Sequence, residues 1–321
     1  MTTLLLGTAP EQDRHIPPGS PFYETDSSHN SHPERPERIE AVLAGIKEAG
    51  IMNTTTFIQP RRATIDELAL VHSHTYLLQL QEFCRKGGGW LDADTYAAKG
   101  SFDTAILAAG TGLEAVDILS NTPDNSKIAF IAMRPPGHHA LREKAMGFCL
   151  INNIAVAAAY LANRGEKVLI FDFDVHHGNG TQEIFWNDQR VLYVSIHQYP
   201  FYPQSGTLSE IGGGKAVGLT VNIPLPAGTV GYTILNKLDE MAASAVSKFS
   251  PTWILVSAGF DGHKDDPLAS FELIPEDFAD IAAWPASVCE LSNRTVLFLE
   301  GGYNIQALKM SVAATFARLC R

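Results

Sequence analysis

The chain has few cysteines and no long hydrophobic run, and both scarcities exclude classes of protein. Its four cysteines show no Cys-x-x-Cys spacing and are Cys84, Cys149, Cys289 and Cys320. Scattered cysteines argue against a disulfide-rich secreted scaffold and favour reduced thiols in a cytosolic protein. No apolar run approaches the roughly 18 residues of a membrane span, and the short run at 4–6 lacks the basic flank of a secretory leader. We therefore expect a cytoplasmic protein without a membrane partner.

Positive charge is also scarce. The chain carries 24 lysines and arginines against 35 aspartates and glutamates, so its formal net charge is −11. Because phosphate backbones are bound by basic surfaces, the sequence predicts no direct nucleic-acid partner. The chain has no Gly-x-Ser-x-Gly elbow, which argues against a serine hydrolase, and the glycines at 212–214 lack the other residues of a phosphate-binding loop.

Apolar runs and helical stretches alternate along the chain. Hydrophobic residues make up 45% of its 321 residues and charged residues 18%, a composition that supports one large core. The apolar runs predict strands at residues 128–133, 168–171, 191–196, 253–257 and 295–299. Helices are predicted at 36–49, 151–162 and 232–247. This alternation indicates βαβ units, and we predict an α/β fold with a central parallel sheet, formed by one domain over residues 1–321.

Acidic and imidazole side chains follow the strand predicted at 168–171. They are Asp172, Asp174, His176, His177 and Asn179. In open α/β sheets ligands bind beyond the carboxyl ends of the strands. If the backbone stays extended, the side chains of Asp172, Asp174 and His176 point to one side, because the side-chain period of a strand is two. Carboxylates beside imidazole are typical metal ligands, so the segment predicts a metal site.

Three other predicted strands are also followed by reactive side chains. His138 and His139 come after a rigid Pro-Pro-Gly turn, and adjacent histidines can act as base and electrostatic stabiliser near pH 7. Asp261 is a candidate third metal ligand, although a lone aspartate at a strand end is often a helix cap. Tyr303 follows two glycines, which let a backbone approach a ligand. Four isolated histidines are predicted to cap, pack or line a loop: His29, His32, His72 and His74.

Together these motifs resemble the histone deacetylase family, which includes bacterial deacetylase-like amidohydrolases and acetylpolyamine amidohydrolases. The matching segments keep the family's order from about residue 20 to 303, and they are residues 32–38, 134–139, 147–149, 172–182, 257–261 and 300–303. The class II pattern fits best, because Asn-Gly-Thr-Gln at 179–182 follows His-His-Gly. The resemblance implies an arginase/deacetylase-like fold with helices on both faces of the sheet and active-site loops at the carboxyl ends of its strands.

The resemblance also implies a zinc-dependent amidohydrolase that removes acetyl or other acyl groups from lysine side chains of proteins or peptides. The implied ligands of the catalytic Zn²⁺ are Asp174, His176 and Asp261. Iron(II) or cobalt(II) suits the same oxygen-rich set. Family members also carry structural potassium, which is expected here near Asp172, Asp174, His176 and Ser195.

The resemblance gives the remaining site residues their expected roles. His138 pairs with Asp172, and His139 pairs with Asn179 and moves the proton between water and the leaving amine. Tyr303 donates a hydrogen bond to the substrate carbonyl. The expected substrate-binding residues, which form the rim and walls of an acyl-lysine tunnel, are Asp94, Gly147, Phe148, Tyr202 and Leu268.

The sequence departs from family patterns at two positions. Class I members have Asp where Asn179 stands, and the tunnel position usually filled by Phe is Tyr202, which adds a hydroxyl. In contrast, Leu268 resembles the protein deacetylases, whereas polyamine-selective relatives can carry a glutamate there. This residue favours an acylated lysine over an acetylpolyamine or another small amide as substrate.

Two other functions remain open. The first is an arginase-type dinuclear manganese ureohydrolase, whose matching segment reads Ser-x-Asp-x-Asp; this chain has Gly259 at the first of those aspartates, so a second metal loses a ligand. The second is a catalytically weak acyl-lysine reader. Weakly active family members replace the tyrosine, and Tyr303 is retained here.

Overall fold

The computed structural model describes residues 2–9, 14–16, 32–122, 127–289, 291 and 294–321. Of the residues discussed above, His29 lies outside this set. Within the described residues the strands are β1 Thr3–Gly7, β2 Thr56–Ile58, β3 Gly88–Trp90, β4 Tyr96–Ala98, β5 Lys127–Ile131, β6 Val168–Asp172, β7 Val191–Gln198, β8 Thr220–Leu225, β9 Trp253–Ala258 and β10 Thr295–Leu299.

The α-helices of the same described residues differ widely in length. They are α1 Glu37–Glu48, α2 Ile65–Leu68, α3 His74–Arg85, α4 Ser101–Ser120, α5 Asn153–Ala162, α6 Asn179–Phe185, α7 Gly231–Met241, α8 Ala243–Phe249, α9 Pro275–Cys289 and α10 Ile305–Leu319. None of these helices is long and apolar enough to cross a membrane.

Eight strands form one parallel sheet in the order β2-β1-β5-β10-β9-β6-β7-β8. Strand β6 lies inside the sheet, and all five of its residues are buried. Val168 and Ile170 belong to one hydrophobic core, whereas Leu169 and Phe171 belong to the other. Helices α4 and α5 contribute to the first core, and α1, α9 and α10 to the second. The predicted parallel sheet with helices on both faces is therefore confirmed.

All five predicted strands are strands of this sheet, but one predicted helix is wrong. The stretch at 232–247 is divided into α7 and α8 by Ala242, whose φ and ψ are −111° and −31°. Leu238, Ala242 and Val246 all face the same core, so the helical apolar period continues across the break. The sequence pattern therefore predicts one helix where the backbone forms two.

The sequence reasoning also missed three strands of the sheet, which are β1, β2 and β8. Strand β1 has three buried leucines and pairs with both β2 and β5. Strand β8 lies at the sheet edge and contains Pro224. A proline inside an apolar run argues against a strand, which is why the sequence did not predict β8. Edge strands tolerate proline because one side of the hydrogen-bonded ladder is unpaired.

A buried histidine makes the stability of this fold depend on pH. The Nδ1 of His72 lies 3.0 Å from the carbonyl oxygen of Leu141, and its Nε2 accepts a hydrogen bond of 3.0 Å from the backbone N–H of Asn152. These partners require the neutral imidazole. Burial lowers the pKa of His72 from 6.5 to about 4, against the opposing effect of backbone hydrogen bonds.

Acidification is therefore expected to destabilise the protein through His72. Between pH 6.5 and 4 the unfolded chain binds a proton at this residue that the folded chain does not, so the free energy of unfolding falls by about 1.4 kcal/mol per pH unit. Urea unfolding at pH 6 and 5 measures this slope. The His72→Gln variant should show a shallower slope by about that amount, and equal slopes in the two proteins would contradict the assignment.

Candidate active site

The parallel sheet brings the predicted reactive residues to one edge. Asp172 ends β6, and the loops that follow β5, β9 and β10 carry His138 and His139, Asp261, and Tyr303, respectively. The carboxyl ends of parallel strands meet at the same edge of a sheet, which is where α/β proteins bind ligands. All of these side chains are buried.

The backbone does not stay extended after β6. Residues 174–176 form a bend, because Asp172 Oδ1 accepts a hydrogen bond of 3.2 Å from Asp174 N, and Asp174 Oδ1 accepts one of 2.9 Å from His176 N. Short carboxylates often close such local turns. The backbone does not stay extended here, so the condition under which all three side chains would point to one side is not met. The two ring nitrogens of His138 lie 3.1 Å from Asp172 Oδ2 and 3.9 Å from Asp174 Oδ1, and the Nδ1 of His176 lies 3.0 Å from Asp261 Oδ2.

Asp174, His176 and Asp261 form a buried cluster that can hold a metal ion. One ligand atom from each lies within 4.8 Å of the others. The Nδ1 of His176 lies 3.3 Å from Asp174 Oδ1 and 3.0 Å from Asp261 Oδ2. The other oxygen of each carboxylate is held by a backbone N–H, from Gly301 at 2.8 Å and Val175 at 3.0 Å.

The charge of this cluster fits a divalent cation. Burial, followed by the negative charge of Asp174, raises the pKa of the Asp261 carboxyl. Two adjacent carboxylates in a buried site are costly unless positive charge compensates them. A divalent ion supplies that charge, and two carboxylates with one imidazole are a donor set that zinc accepts.

Two glycines leave room for these carboxylates. A Cβ atom at Gly259 would lie 2.0 Å from Asp174 Oδ2, and one at Gly301 would lie 2.0 Å from Asp261 Oδ2. Real Cβ contacts are never this short, so neither position accepts a side chain without displacing a candidate ligand. An aspartate at position 259, as in the dinuclear enzymes, is therefore incompatible with this arrangement.

The paired histidines have partners of different charge. The Nδ1 of His138 lies 3.1 Å from Asp172 Oδ2, and the Nδ1 of His139 lies 2.8 Å from Asn179 Oδ1. Burial lowers the pKa of His138, but the negative charges of Asp174 and Asp172 outweigh it, so the pKa is raised overall. Burial and the positive charge of His138 lower the pKa of His139. The two imidazoles, whose ring centroids lie 4.0 Å apart, are thus suited to different protonation states.

Sequence reasoning missed the groups that hold this loop. Glu300 Oε2 accepts hydrogen bonds from the backbone N–H groups of Gly137, at 2.7 Å, and His138, at 3.1 Å. Tyr193 donates a hydrogen bond of 3.1 Å to Asp172 Oδ2. The sequence signal that could have revealed the role of Glu300 was its position directly after β10, beside two glycines.

A buried ion-pair cluster supports the segment of Tyr303. Glu34 pairs with both Arg38 and Arg134, and all three side chains are fully buried. Arg38 donates a hydrogen bond of 2.7 Å to the Gly302 carbonyl, and its guanidinium lies 5.0 Å from the centroid of the Tyr303 ring. The motif at 32–38 supports the Tyr303 segment through these contacts. The spacing of its residues in the sequence does not reveal them.

A narrow cavity of about 180 Å³ leads to the metal-ligand cluster. Its lining contains all five predicted substrate-binding residues, and the full set is Asp94, His139, Gly147, Phe148, His176, Phe201, Tyr202, Leu268 and Tyr303. The Phe148 ring meets the Tyr303 ring edge-on at 5.7 Å, and the Tyr202 ring meets the His139 ring edge-on at 5.3 Å. The structure therefore forms an aromatic tunnel, and Phe201 is a further aromatic residue of its lining.

The expected potassium residues also lie together. Ser195 is the neighbour of Asp172 across the β6–β7 pair, and Asp174 and His176 follow within four residues. The Oγ of Ser195 lies 2.9 Å from His197 Nδ1. Potassium at this place stays a prediction.

The fold and the site define an α/β protein with a buried carboxylate–histidine centre at the end of an aromatic tunnel. The family model for the histone deacetylase domain matches residues 32–319. A rice protein named "Histone deacetylase 10, chloroplastic" is 41% identical over 269 residues, which cover 79% of this chain and 60% of the rice protein. A "Probable deacetylase" from Methanothermobacter thermautotrophicus is 39% identical over 296 residues, covering 91% of this chain and 86% of the relative.

A solved structure gives the same result. The crystal structure of the HDA15 HD domain matches 99% of this chain and 88% of that chain, with a TM-score of 0.90 and 33% sequence identity. The chain belongs to the histone deacetylase family, and the resemblance inferred from its motifs is confirmed. The chain spans about three fifths of the length of the rice relative. Because that relative is named chloroplastic, the expected cytoplasmic location stays a prediction.

Proposed function

We propose that this protein is a zinc-dependent amidohydrolase that removes acetyl or other acyl groups from lysine side chains of proteins or peptides. The observation that carries the proposal is the Asp174–His176–Asp261 cluster at the end of a tunnel whose lining includes His139 and Tyr303. A narrow aromatic tunnel suits a long, thin aliphatic chain such as an acylated lysine.

The metal and the histidines have separate tasks in this mechanism. Asp174, His176 and Asp261 would hold the metal ion, which would supply a Lewis acid for the amide carbonyl and would lower the pKa of water. His139, with a lowered pKa, accepts the proton of the attacking water and passes it to the leaving amine. His138, whose pKa is raised by the negative charges of Asp174 and Asp172, adds electrostatic support.

Tyr303 stabilises the oxyanion that develops on the substrate carbonyl. Burial and the negative charge of Asp261 raise the pKa of its phenol, so the hydroxyl keeps its proton and donates. A donor held in place before the reaction contributes more than one that must reorganise. Phe148 and Tyr202 form the tunnel walls, and Asp94 binds the main chain of the substrate at the rim.

Three features favour this function over its alternatives. The crowding at Gly259 argues against a dinuclear ureohydrolase, since that position has no room for a second carboxylate. Leu268 in the tunnel lining places an apolar residue where a polyamine enzyme gains from a negative charge. The presence of Tyr303 and both histidines argues against a reader without turnover. Structural potassium near Ser195, a cytoplasmic location and the absence of a nucleic-acid partner belong to the same proposal.

A substrate panel tests the proposal. We expect hydrolysis of acetyl-lysine peptides at rates above those of acetylpolyamines, loss of activity with a chelator, and recovery with one equivalent of zinc per chain. Longer acyl-lysine peptides in the same panel report the acyl preference that Tyr202 sets. Two tightly bound ions per chain would favour the dinuclear alternative, and peptide binding without hydrolysis by the zinc-loaded protein would favour the reader.

A further inference from the structure

The hydroxyl of Thr95 lies between the rim and the wall of the tunnel. Thr95 directly precedes β4, and its side chain is fully buried. Its Oγ1 accepts a hydrogen bond of 3.1 Å from the backbone N–H of Phe148 and donates one of 2.8 Å to Asp94 Oδ1. Since a hydroxyl has one proton and Phe148 N is a donor, the Thr95 proton goes to Asp94. The hydrogen-bonded chain thus runs in one direction, from the tunnel wall to the rim carboxylate.

The backbone around Thr95 leaves its hydroxyl little freedom. Asp92 Oδ1 accepts hydrogen bonds from Thr95 N, at 2.7 Å, and Asp94 N, at 3.2 Å. The backbone N–H of Leu91 donates to the Thr95 carbonyl at 2.8 Å. These three bonds close the turn that carries Asp94, so the position of the hydroxyl is fixed by the main chain.

The wall residue needs such support, because its backbone is strained. Phe148 has a φ of 66°, in the left-handed region that side chains other than glycine rarely adopt. Such a conformation persists where surrounding contacts hold it. A second contact reinforces the same connection: His32 Nε2 lies 3.1 Å from the Asp94 carbonyl, and the His32 ring meets the Phe148 ring edge-on at 4.7 Å.

We propose that Thr95 is a positioning residue that orients the Asp94 carboxylate toward the main chain of the substrate, with its hydroxyl held in place by the Phe148 backbone N–H. This inference rests on the proposed function, in which Asp94 binds the substrate backbone. Thr95 itself is buried and does not touch the substrate. Its loss should therefore affect peptides more than substrates that lack a peptide main chain.

The matched variants Thr95→Val and Thr95→Ser test this role. Valine keeps the shape and removes the hydroxyl, whereas serine keeps the hydroxyl. We expect Thr95→Val to lower kcat/KM for an acetyl-lysine peptide about tenfold, mainly through KM, since tenfold corresponds to the loss of about one hydrogen bond. The activity toward N-butylacetamide, which mimics the acylated side chain alone, should change far less, and Thr95→Ser should stay near wild type for both substrates.

A double-mutant cycle with Asp94→Ala tests whether Thr95 acts through Asp94. If Thr95 acts through Asp94, Thr95→Val adds little to the peptide-specific loss already caused by Asp94→Ala. Equal losses on both substrates, full additivity, or a defect in Thr95→Ser as large as in Thr95→Val would overturn the inference. Peptide Kd, measured by fluorescence anisotropy on the same variants, keeps the test independent of turnover. A wild-type protein that binds the peptide without hydrolysing it refutes the proposed function, while the pattern of Kd values still decides the role of Thr95.

Discussion

Replacing Tyr303 with phenylalanine is expected to lower kcat about 10²–10³-fold, the usual loss when one oxyanion donor is removed. The phenylalanine keeps the edge-on contact with Phe148 and the position beneath the Arg38 guanidinium, so the wall of the tunnel stays intact. The backbone N–H of residue 303 also keeps its hydrogen bond of 2.6 Å to Asp266 Oδ2. Steady-state kinetics with an acetyl-lysine peptide, together with metal content per chain, measures the effect.

Tyr202→Phe is the matched control for this variant. It removes one hydroxyl from a tyrosine of the same tunnel, and it restores the phenylalanine expected at this position from family resemblance. We expect a change of a few fold in kcat and a shift in acyl preference. If Tyr303→Phe keeps kcat within threefold of wild type at unchanged metal content, the role of Tyr303 as donor is refuted.

The difference between what the sequence predicted and what it missed has a physical cause. Strand β6 was predictable because both of its faces are buried, which requires a continuous apolar run. The reactive residues were predictable because the ends of parallel strands share one edge, so Asp172 and Tyr303, far apart in sequence, lie at the same edge of the sheet. The apolar run can be read from the local sequence, and the shared edge follows from the general topology of parallel sheets.

The groups that hold those residues follow no local pattern. Thr95, Asp266 and Glu300 act through hydrogen bonds from backbone N–H groups 37 to 163 residues away in sequence, at Phe148, Tyr303 and Gly137, respectively. A backbone N–H carries no sequence information, since every residue except proline has one. Such partners become visible only when the chain is folded, which is why the motifs gave the candidate ligands but not their supports.

The metal affinity of the Gly259→Ala variant is expected to fall about tenfold to a hundredfold, which is the usual effect of disturbing the groups that orient a metal ligand. Its Cβ would lie 2.0 Å from Asp174 Oδ2, so the carboxylate must move and lose its hydrogen bond of 2.8 Å from Gly301 N. Competition with a fluorescent zinc chelator measures the affinity, and activity should fall in step and recover in part with excess zinc.

Gly262→Ala provides the control in the same loop, one residue beyond Asp261. The nearest atom to its added Cβ is the terminal Cδ1 of Leu273, at 3.0 Å, and a flexible side chain can yield there. We expect near-normal zinc affinity for this variant, and thermal unfolding of both proteins excludes a general loss of the fold. Wild-type zinc affinity in Gly259→Ala would contradict the role of Asp174 as a ligand, because the added Cβ would lie within 2.5 Å of the Oδ2, Cγ and Cβ atoms of Asp174.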